Sequence, residues 1–267
     1  MAFLFLNLPP NFFRMGWLKY NFEHHIDSVE RTLEHRKLIK NKPFLHRIYL
    51  DWYNWFLKII PELPQGKIIE LGSGGGFLKE LAPQVICSDL IDLPHNDLTF
   101  SALDMPFEEN EISGILMVDT FHHIPDAEKF LAEAVRVMKP GAEILMIEPA
   151  NSIFGRFIYK NFHHEPFYPK GTWKIEPTGP LSGANGALPW IVFERDRKKM
   201  EKLFPSLKII SIRYHSPFIY LFSGGVSYKQ ILPSKLYPLV KFIDNILTFF
   251  SKHFSMFVSI RLQKNLL

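Results

Sequence analysis

Between residues 67 and 147, apolar positions form short, nearly continuous runs that alternate with a helical pattern. Such runs are typical of strands that are covered on both faces of a sheet. The four strand-like runs are residues 67–71, 85–88, 112–118 and 142–147. Before the last run, residues 127–138 carry one apolar helical face, which is expected to stop at Pro140 and Gly141. This alternation of strands and helices predicts a parallel sheet.

On either side of this region, apolar residues recur mainly at helical spacing. Further helices are predicted at residues 27–40, 44–59, 194–204 and 236–250, and further strands at residues 207–214 and 256–262. Residues 151–190 show no clear period. The sequence therefore predicts an α/β fold, with a Rossmann-like sheet of about seven mostly parallel strands and helices on both faces.

The pattern divides the chain into an N-terminal helical extension, residues 1–63, and one larger domain, residues 64–267. This domain carries two insertions, at about residues 151–190 and 215–254, because both segments are too long for plain connections. We expect the two insertions to lie over the carboxyl edge of the sheet as a lid and to form the substrate pocket.

Composition and charge exclude several classes of protein. With 47% hydrophobic residues, the chain can bury one large core. A net charge of +4, carried by scattered lysines and arginines, does not predict nucleic acid as a partner. The single cysteine, Cys87, excludes an internal disulfide and fits a reducing compartment, so a cytoplasmic location is predicted.

Aromatic residues make up 15% of the chain and concentrate before residue 60 and after residue 150. No apolar run approaches the ~20 residues that cross a bilayer, so a spanning helix is not predicted. The apolar start comprises residues 1–6, Phe12, Phe13 and Trp17. With the helix at 236–250 and its flanking cations, it predicts peripheral contact with a membrane surface. These cations are Lys235, Lys241 and Lys252. Simple packing of both segments on the sheet is the alternative.

The most informative stretch follows the first predicted strand, where residues 70–77 read ELGSGGGF. Gly72, Gly74 and Gly76 allow a ligand to lie against bare backbone. A dinucleotide fingerprint has its third glycine where Phe77 stands, so the spacing is GxGxG and not GxGxxG. Glycines after a strand also occur in plain tight turns, and the neighbouring carboxylates decide between the two interpretations.

Acidic residues end three of the predicted strands. Asp89 stands where the Rossmann layout places the carboxylate that binds ribose hydroxyls. Asp104 follows the expected third strand and can accept a hydrogen bond from an adenine amine, and Asp119 faces the same crevice. A site rich in carboxylates suits a sulfonium cofactor, which carries no phosphate.

These motifs together resemble the type 11 methyltransferase domain family, within the class I S-adenosylmethionine-dependent methyltransferases. The motifs that carry the resemblance are ELGSGGGF at 70–77, Asp89, LDMPF at 103–107, FHHIPD at 121–126 and RVMKPG at 136–141. The resemblance implies S-adenosyl-L-methionine as cofactor and a reversed last strand, assigned here to residues 256–262.

The resemblance also implies a role for individual residues in cofactor binding. Glu70 and the glycine turn would hold the methionine end, Asp89 the ribose, and Asp104 with Met105 the adenine. The full set of predicted cofactor-binding residues is Glu70, Gly72, Ser73, Gly74, Gly76, Asp89, Leu90, Asp104, Met105 and Asp119.

Histidines are candidates for a general base, which is needed only where the acceptor must lose a proton. The candidates are His122, His123 and His164, with His163 and Glu165 beside the last. In the alternative interpretation, His122 and His123 only shape the floor of the pocket. No metal site is predicted, because adjacent residues rarely point at one ion.

The sequence thus predicts a methyltransferase that acts on a small or lipid-linked acceptor, including the hydroxyl of a glycan. Two other classes stay open: a nicotinamide-dependent oxidoreductase, which Phe77 and the acidic residues disfavour, and a non-catalytic cofactor-fold protein at a membrane surface.

Overall fold

The computed structural model describes residues 18–176, 178–250 and 252–266. A single seven-stranded sheet runs through them, in the spatial order β3-β2-β1-β4-β5-β7-β6. The strands are β1 (Lys67–Leu71), β2 (Val85–Asp89), β3 (Leu98–Thr99), β4 (Ile112–Val118), β5 (Met138–Pro149), β6 (Leu207–His215) and β7 (Phe257–Lys264). Neighbours from β3 to β5 pair in parallel, and β7 pairs antiparallel with both β5 and β6. The predicted Rossmann-like sheet with its reversed last strand is confirmed.

Helices flank this sheet and extend the chain before it. They are α1 (Val29–Asn41), α2 (Pro43–Ile59), α3 (Leu78–Leu81), α4 (Ala127–Val137), α5 (Ile153–Phe162), α6 (Leu188–Trp190), α7 (Arg197–Leu203), α8 (Ile219–Ser223) and α9 (Tyr237–Phe250). Local capping explains several of the boundaries: Asp126 accepts the N–H of Lys129 at the start of α4, and Pro43 opens α2.

Strand β5 begins earlier than the sequence pattern predicts. It starts at Met138, directly after α4, so Pro140 and Gly141 lie inside the strand and not in a turn after the helix. The pairing register of β5 against β4 shifts at this point, and Gly141 has a positive φ of 80°. The two residues therefore form an irregular start of the strand. Such a start is compatible with a proline, which has no backbone N–H, and a glycine, which has no side chain.

The segment 151–190, predicted without regular structure, contains helix α5. Ser152 caps this helix by accepting the N–H of Gly155 at 2.8 Å. A Cβ on Gly155 would meet the carbonyl oxygen of Ala150 at 2.6 Å, so the close approach excludes larger residues there. The helix predicted from residue 194 also begins earlier, at α6, and continues through a π-helical turn at Ile191–Arg195.

The N-terminal helices pack directly on the glycine turn and on both later segments. A Cβ on Gly75 would lie 2.9 Å from the main-chain nitrogen of Arg36 in α1. The Asp27 carboxylate accepts the N–H groups of Leu181 and Ser182, and the buried Lys42 ammonium donates to the carbonyl of Tyr228 at 2.7 Å. The extension and the two insertions are thus joined by hydrogen bonds, while the proposed division at residue 63 stays a prediction.

In the part of the chain that the structure describes, no helix is long and apolar enough to cross a membrane. The apolar start of the chain, up to Trp17, lies outside the described residues. Its contact with a membrane stays a prediction.

Candidate functional site

A cavity opens at the carboxyl ends of β1, β2 and β4, where the Rossmann layout predicts a ligand. The glycine turn after β1 forms one end. The N-terminal helices contribute Ile26, His35 and Ile39 to its lining, and the two segments predicted as insertions contribute residues as well. The predicted pocket therefore has a further wall that the sequence did not indicate, while the action of the insertions as a lid stays a prediction.

The glycine turn is shaped by two residues with positive φ, Gly72 at 65° and Gly74 at 45°. A Cβ on Gly74 would make only ordinary van der Waals contacts, at 3.7 Å from the carbonyl oxygen of Gly72 and 3.9 Å from Asp89 Oδ2. Gly72 has no such room, because a Cβ there would lie 2.5 Å from the Thr120 side chain. The empty volume over Gly74 is the cradle that a cofactor would fill.

Asp89, at the end of β2, faces this cradle. Its Oδ2 accepts the N–H of Gly74 at 2.9 Å and its Oδ1 accepts the N–H of Ile91 at 3.0 Å. Burial raises the pKa of Asp89 above its usual value, although these main-chain donors oppose the shift. Leu90 lines the outer edge of the cavity and is exposed. The carboxylate is thus oriented toward the predicted ribose position.

Glu70 and Ser73 also line this end of the cavity and are buried. Burial raises the pKa of Glu70 to about 7, and its Oε2 accepts a hydrogen bond from the Cys87 thiol at 3.3 Å. The structure therefore places Glu70, Ser73 and the glycines together at one end of the cavity, and their role in holding the methionine end stays a prediction.

Two predicted adenine contacts lie elsewhere, and their placement needs correction. Asp104 is exposed and Met105 is buried in the core, with its N–H bonded to Glu133 at 2.8 Å, and neither lines the cavity. Ser101, Ala102 and Leu103 line it instead. A turn causes the difference, because the N–H of Asp104 bonds back to the carbonyl of Ser101 at 3.0 Å and directs the carboxylate outward.

The floor of the cavity is the loop after β4. Asp119 has a positive φ of 52°, and burial raises its pKa to about 8. Beneath it, the fully buried Glu148 accepts the N–H of Thr120 at 3.0 Å and that of Phe121 at 2.8 Å through Oε1. Sequence reasoning did not single out Glu148, which lies inside a strand among apolar neighbours.

His122 lies between two carboxylates. Its Nδ1 is 2.7 Å from Glu148 Oε2 and its Nε2 is 3.3 Å from Glu165 Oε2. Burial alone would lower the pKa of His122, but the two glutamates hold it well above the usual value. A histidine with both nitrogens engaged in this way has no free lone pair for a substrate.

The other candidate bases converge on the same glutamate. His123 Nε2 lies 3.8 Å from Glu165 Oε1, and His163 and His164 each lie 3.6 Å from a Glu165 oxygen. His164 is the most exposed of these side chains. The structure thus brings together all the histidines that the sequence proposed, around a carboxylate from the first insertion.

Aromatic side chains complete the wall between the glycine turn and this cluster. They are Tyr49, Tyr53, Tyr159, Tyr220 and Phe257. The tyrosines come from α2, α5 and α8, so the wall is assembled from the N-terminal helices and both insertions. The cavity is polar at its two ends and largely apolar between them.

Comparison with known proteins agrees with this geometry. Residues 69–146 match the model of a methyltransferase domain family. A demethylmenaquinone methyltransferase of Symbiobacterium thermophilum is 30% identical over 118 residues, which cover 43% of this chain and 46% of that protein. Another of that name, from Listeria welshimeri, is 22% identical over 245 residues, covering 84% of this chain and 91% of the relative.

Solved structures are similar in fold. A geranyl diphosphate methyltransferase in complex with GPP and sinefungin aligns with a TM-score of 0.50 and 10% identity, over 92% of this chain and 88% of the other. A possible histamine N-methyltransferase from Thermotoga maritima aligns with a TM-score of 0.49 and 18% identity, over 88% and 99%.

We expect Asp89→Ala and Gly74→Trp each to weaken binding of S-adenosylmethionine roughly tenfold or more. The first removes a buried acceptor that faces the cradle, and the second fills the cradle with an indole. Isothermal titration calorimetry measures both effects, with the thermal midpoint of each variant as a check on folding. Parent-like affinity in either folded variant would show that the cofactor lies elsewhere.

The corrected position of the adenine segment gives a separate expectation. Asp104→Ala should change the dissociation constant for the cofactor by less than about twofold, since its exposed side chain does not reach the cavity. Ala102→Trp should weaken binding by at least about tenfold through steric exclusion. A loss in Asp104→Ala comparable to that in Asp89→Ala would restore the original assignment.

Proposed function

We propose that this chain, which carries a class I S-adenosylmethionine-dependent methyltransferase domain, transfers a methyl group to a small apolar acceptor of the quinol or phenol class. The observation that carries the proposal is one cavity that joins the glycine cradle to the histidine–glutamate cluster through an aromatic wall. An aromatic wall binds a flat apolar ring, and the polar cluster binds its hydroxyl. The relatives named demethylmenaquinone methyltransferases support this acceptor class.

The residues of the cradle fit S-adenosylmethionine, because the main chain at Gly74 borders the cavity beside Asp89, and no lysine or arginine of the described residues lines that cavity. The bound cofactor would supply an already activated methyl carbon. The protein then has to align the acceptor with that carbon and exclude water. Tyr49, Tyr53 and Tyr159 close the cavity between the two ends and serve this purpose.

The proton of an acceptor hydroxyl needs a group at the inner end of the cavity. His123 Nδ1 is 3.0 Å from the carbonyl oxygen of Gly183, which can only accept, so Nδ1 carries the hydrogen and Nε2 is the free acceptor. Glu165 lies beside it. Both groups face the cavity and are the residues we assign to hold the hydroxyl and receive its proton.

A panel of acceptors tests the proposal. With methyl-labelled S-adenosylmethionine, we expect the parent protein to label reduced naphthoquinones and phenols. It should not label glycosides, since an aromatic wall offers sugar hydroxyls few hydrogen-bond partners. Glu165→Gln should lower the turnover at least about tenfold with little change in cofactor affinity, while Asp104→Ala serves as the matched control.

The outcomes of the panel separate the competing functions. If only a glycan acceptor is labelled, the acceptor is a sugar hydroxyl, which the sequence also predicts, and not a quinol or phenol. Cofactor binding without any transfer would favour a non-catalytic protein. Binding of a nicotinamide cofactor in place of S-adenosylmethionine would favour the oxidoreductase.

The surface of the second insertion supports an acceptor that resides in a lipid membrane. Helix α9 buries Tyr237, Val240 and Asp244 and turns large apolar side chains outward. These outward residues are Leu239, Phe242, Ile243, Ile246, Phe249 and Phe250. Phe249 and Phe250 are 84% and 78% exposed, so packing among the residues that the structure describes does not explain them.

Helix α5 links this surface to the cavity. Its Tyr159 lines the cavity, while Ile153 and Phe157 are exposed on the outside. Lys235 and Lys252 are exposed near the two ends of α9, and Lys241 is paired with Asp51 at 2.6 Å. An apolar face with flanking cations fits the interface of a membrane that contains anionic lipids.

Flotation with vesicles of phosphatidylcholine and phosphatidylglycerol tests whether the apolar face of α9 contacts a membrane. We expect the parent protein to float at low salt and a Phe249→Ser, Phe250→Ser double variant to float several-fold less. Leu98→Ser with Leu203→Ser is the matched control, because these leucines are exposed elsewhere. Parent protein that stays at the bottom, or an equal loss in the control, contradicts membrane contact.

A further inference from the structure

Three side chains at the inner end of the cavity present their donor atoms to one point. One ligand atom from each of His122, His123 and Glu165 lies within 4.8 Å of the other two. The histidines are neighbours in a 3-10 turn, Phe121–His123, and their ring centroids are 4.2 Å apart. The sequence predicted no metal site, and it considered only His163, His164 and Glu165, whose adjacency was the objection. For His122 and His123, the 3-10 turn brings two adjacent imidazole rings side by side, so adjacency does not prevent both from binding one ion.

The Nδ1 atoms of both imidazoles, which face away from Glu165, are held by hydrogen bonds to the protein. His123 Nδ1 donates to the carbonyl oxygen of Gly183 at 3.0 Å, and His122 Nδ1 shares a proton with Glu148 Oε2 at 2.7 Å. Metal-ligating histidines characteristically have this second contact, to a carbonyl or a carboxylate, which sets the tautomer and aims the other nitrogen. Both Nε2 atoms therefore point toward Glu165: that of His123 carries a lone pair, and that of His122 offers one once its proton is displaced.

The carboxylate that faces these two nitrogens is stabilised by a cation between them, either a proton on His122 Nε2 or a metal ion that displaces this proton. His122 Nε2 is 3.3 Å from Glu165 Oε2, and His123 Nε2 is 3.8 Å from Glu165 Oε1. Ligands about 2.0–2.2 Å from a zinc-like ion lie about 3.0–3.6 Å from one another. The two separations to Glu165 need at most a few tenths of an ångström of contraction to hold such an ion, and the ligand atoms of the two histidines lie within 4.8 Å of each other.

We propose that His122, His123 and Glu165 form a binding site for one divalent transition-metal ion. Two imidazoles and one carboxylate suit zinc, iron(II), cobalt(II) or manganese(II) better than calcium or magnesium, which prefer oxygen ligands alone. All three residues line the cavity, so the remaining coordination positions open toward it. An oxygen of the acceptor can take one of them, and the bound metal would then lower the pKa of that hydroxyl, in place of direct proton transfer to His123 Nε2. This role rests on the proposed function, whereas metal binding does not.

A second cluster, His163, His164 and Glu165, competes for the same carboxylate. Its histidines lack the fixed arrangement of the first pair. The N–H of Glu165 donates to His163 Nδ1 at 3.3 Å, and the His164 side chain is 43% exposed. The geometry therefore favours His122 and His123 as the ligands.

Titration of chelator-treated full-length protein with Co²⁺ tests the site through visible absorption and equilibrium dialysis. We expect one Co²⁺ per chain, with bands of low-symmetry coordination that Zn²⁺ displaces. Glu165→Gln and His123→Gln should each weaken Co²⁺ binding at least about tenfold. Loss of a group that only hydrogen-bonds to a metal ligand already weakens binding by this much, and loss of a ligand should cost no less. His164→Gln and the distant His24→Gln should bind like the parent.

Cofactor affinity is measured for every variant, so that a fold defect is distinguished from a lost ligand. If the parent binds no Co²⁺ or Zn²⁺, or if His123→Gln binds as the parent does, the site is wrong and a proton alone holds His122 and Glu165 together. Loss in His164→Gln with retention in His123→Gln would assign the ion to the other cluster. Metal binding without methyl transfer would leave the site standing and overturn the proposed function.

Discussion

The buried carboxylate of Glu148 is the contact on which the arrangement of the cavity floor depends. Fully enclosed at the end of β5, it accepts two successive N–H groups from the loop after β4 and binds His122 through its other oxygen. A buried carboxylate is tolerated only where such donors replace water. The loop must therefore keep its turn, with Asp119 in a left-handed conformation and His122 aimed at the cavity.

The same constraint explains how distant segments meet at one point. Glu148 holds His122 in place through Nδ1. Glu165 of the first insertion, 43 residues away in the chain, therefore contacts a rigid partner. The first insertion is held in turn from the other side, where Asp27 binds the N–H groups of Leu181 and Ser182. The cavity is thus closed by hydrogen bonds between elements that belong to none of the parallel strands, which suits a reaction that must exclude water.

Local pattern predicted most of the sheet, and long-range contacts account for what it missed. Strands β1 and β4 have the predicted bounds because continuous apolar runs between turn signals leave little choice of structure. Asp104 does not line the cavity as its spacing predicted, because it closes a four-residue turn from Ser101 and is exposed, and spacing alone does not indicate such a turn. The partnership of Glu148 with His122 has no local signal at all, since a single glutamate in an apolar strand looks like an ordinary surface position.

The aromatic residues that dominate the composition separate into two groups with different physical demands. Buried tyrosines direct their hydroxyls to partners, as Tyr159 does to the carbonyl of Met256 at 2.6 Å and Tyr53 does by accepting the N–H of Phe77 at 3.1 Å. These contacts satisfy the polar end of each ring and leave its apolar face to the cavity. The phenylalanines at the end of α9 have no polar group to satisfy, yet they are the most exposed large side chains of that helix. Water solvates such rings poorly, so the inner wall is explained by the fold, while contacts among the described residues do not account for the outer face.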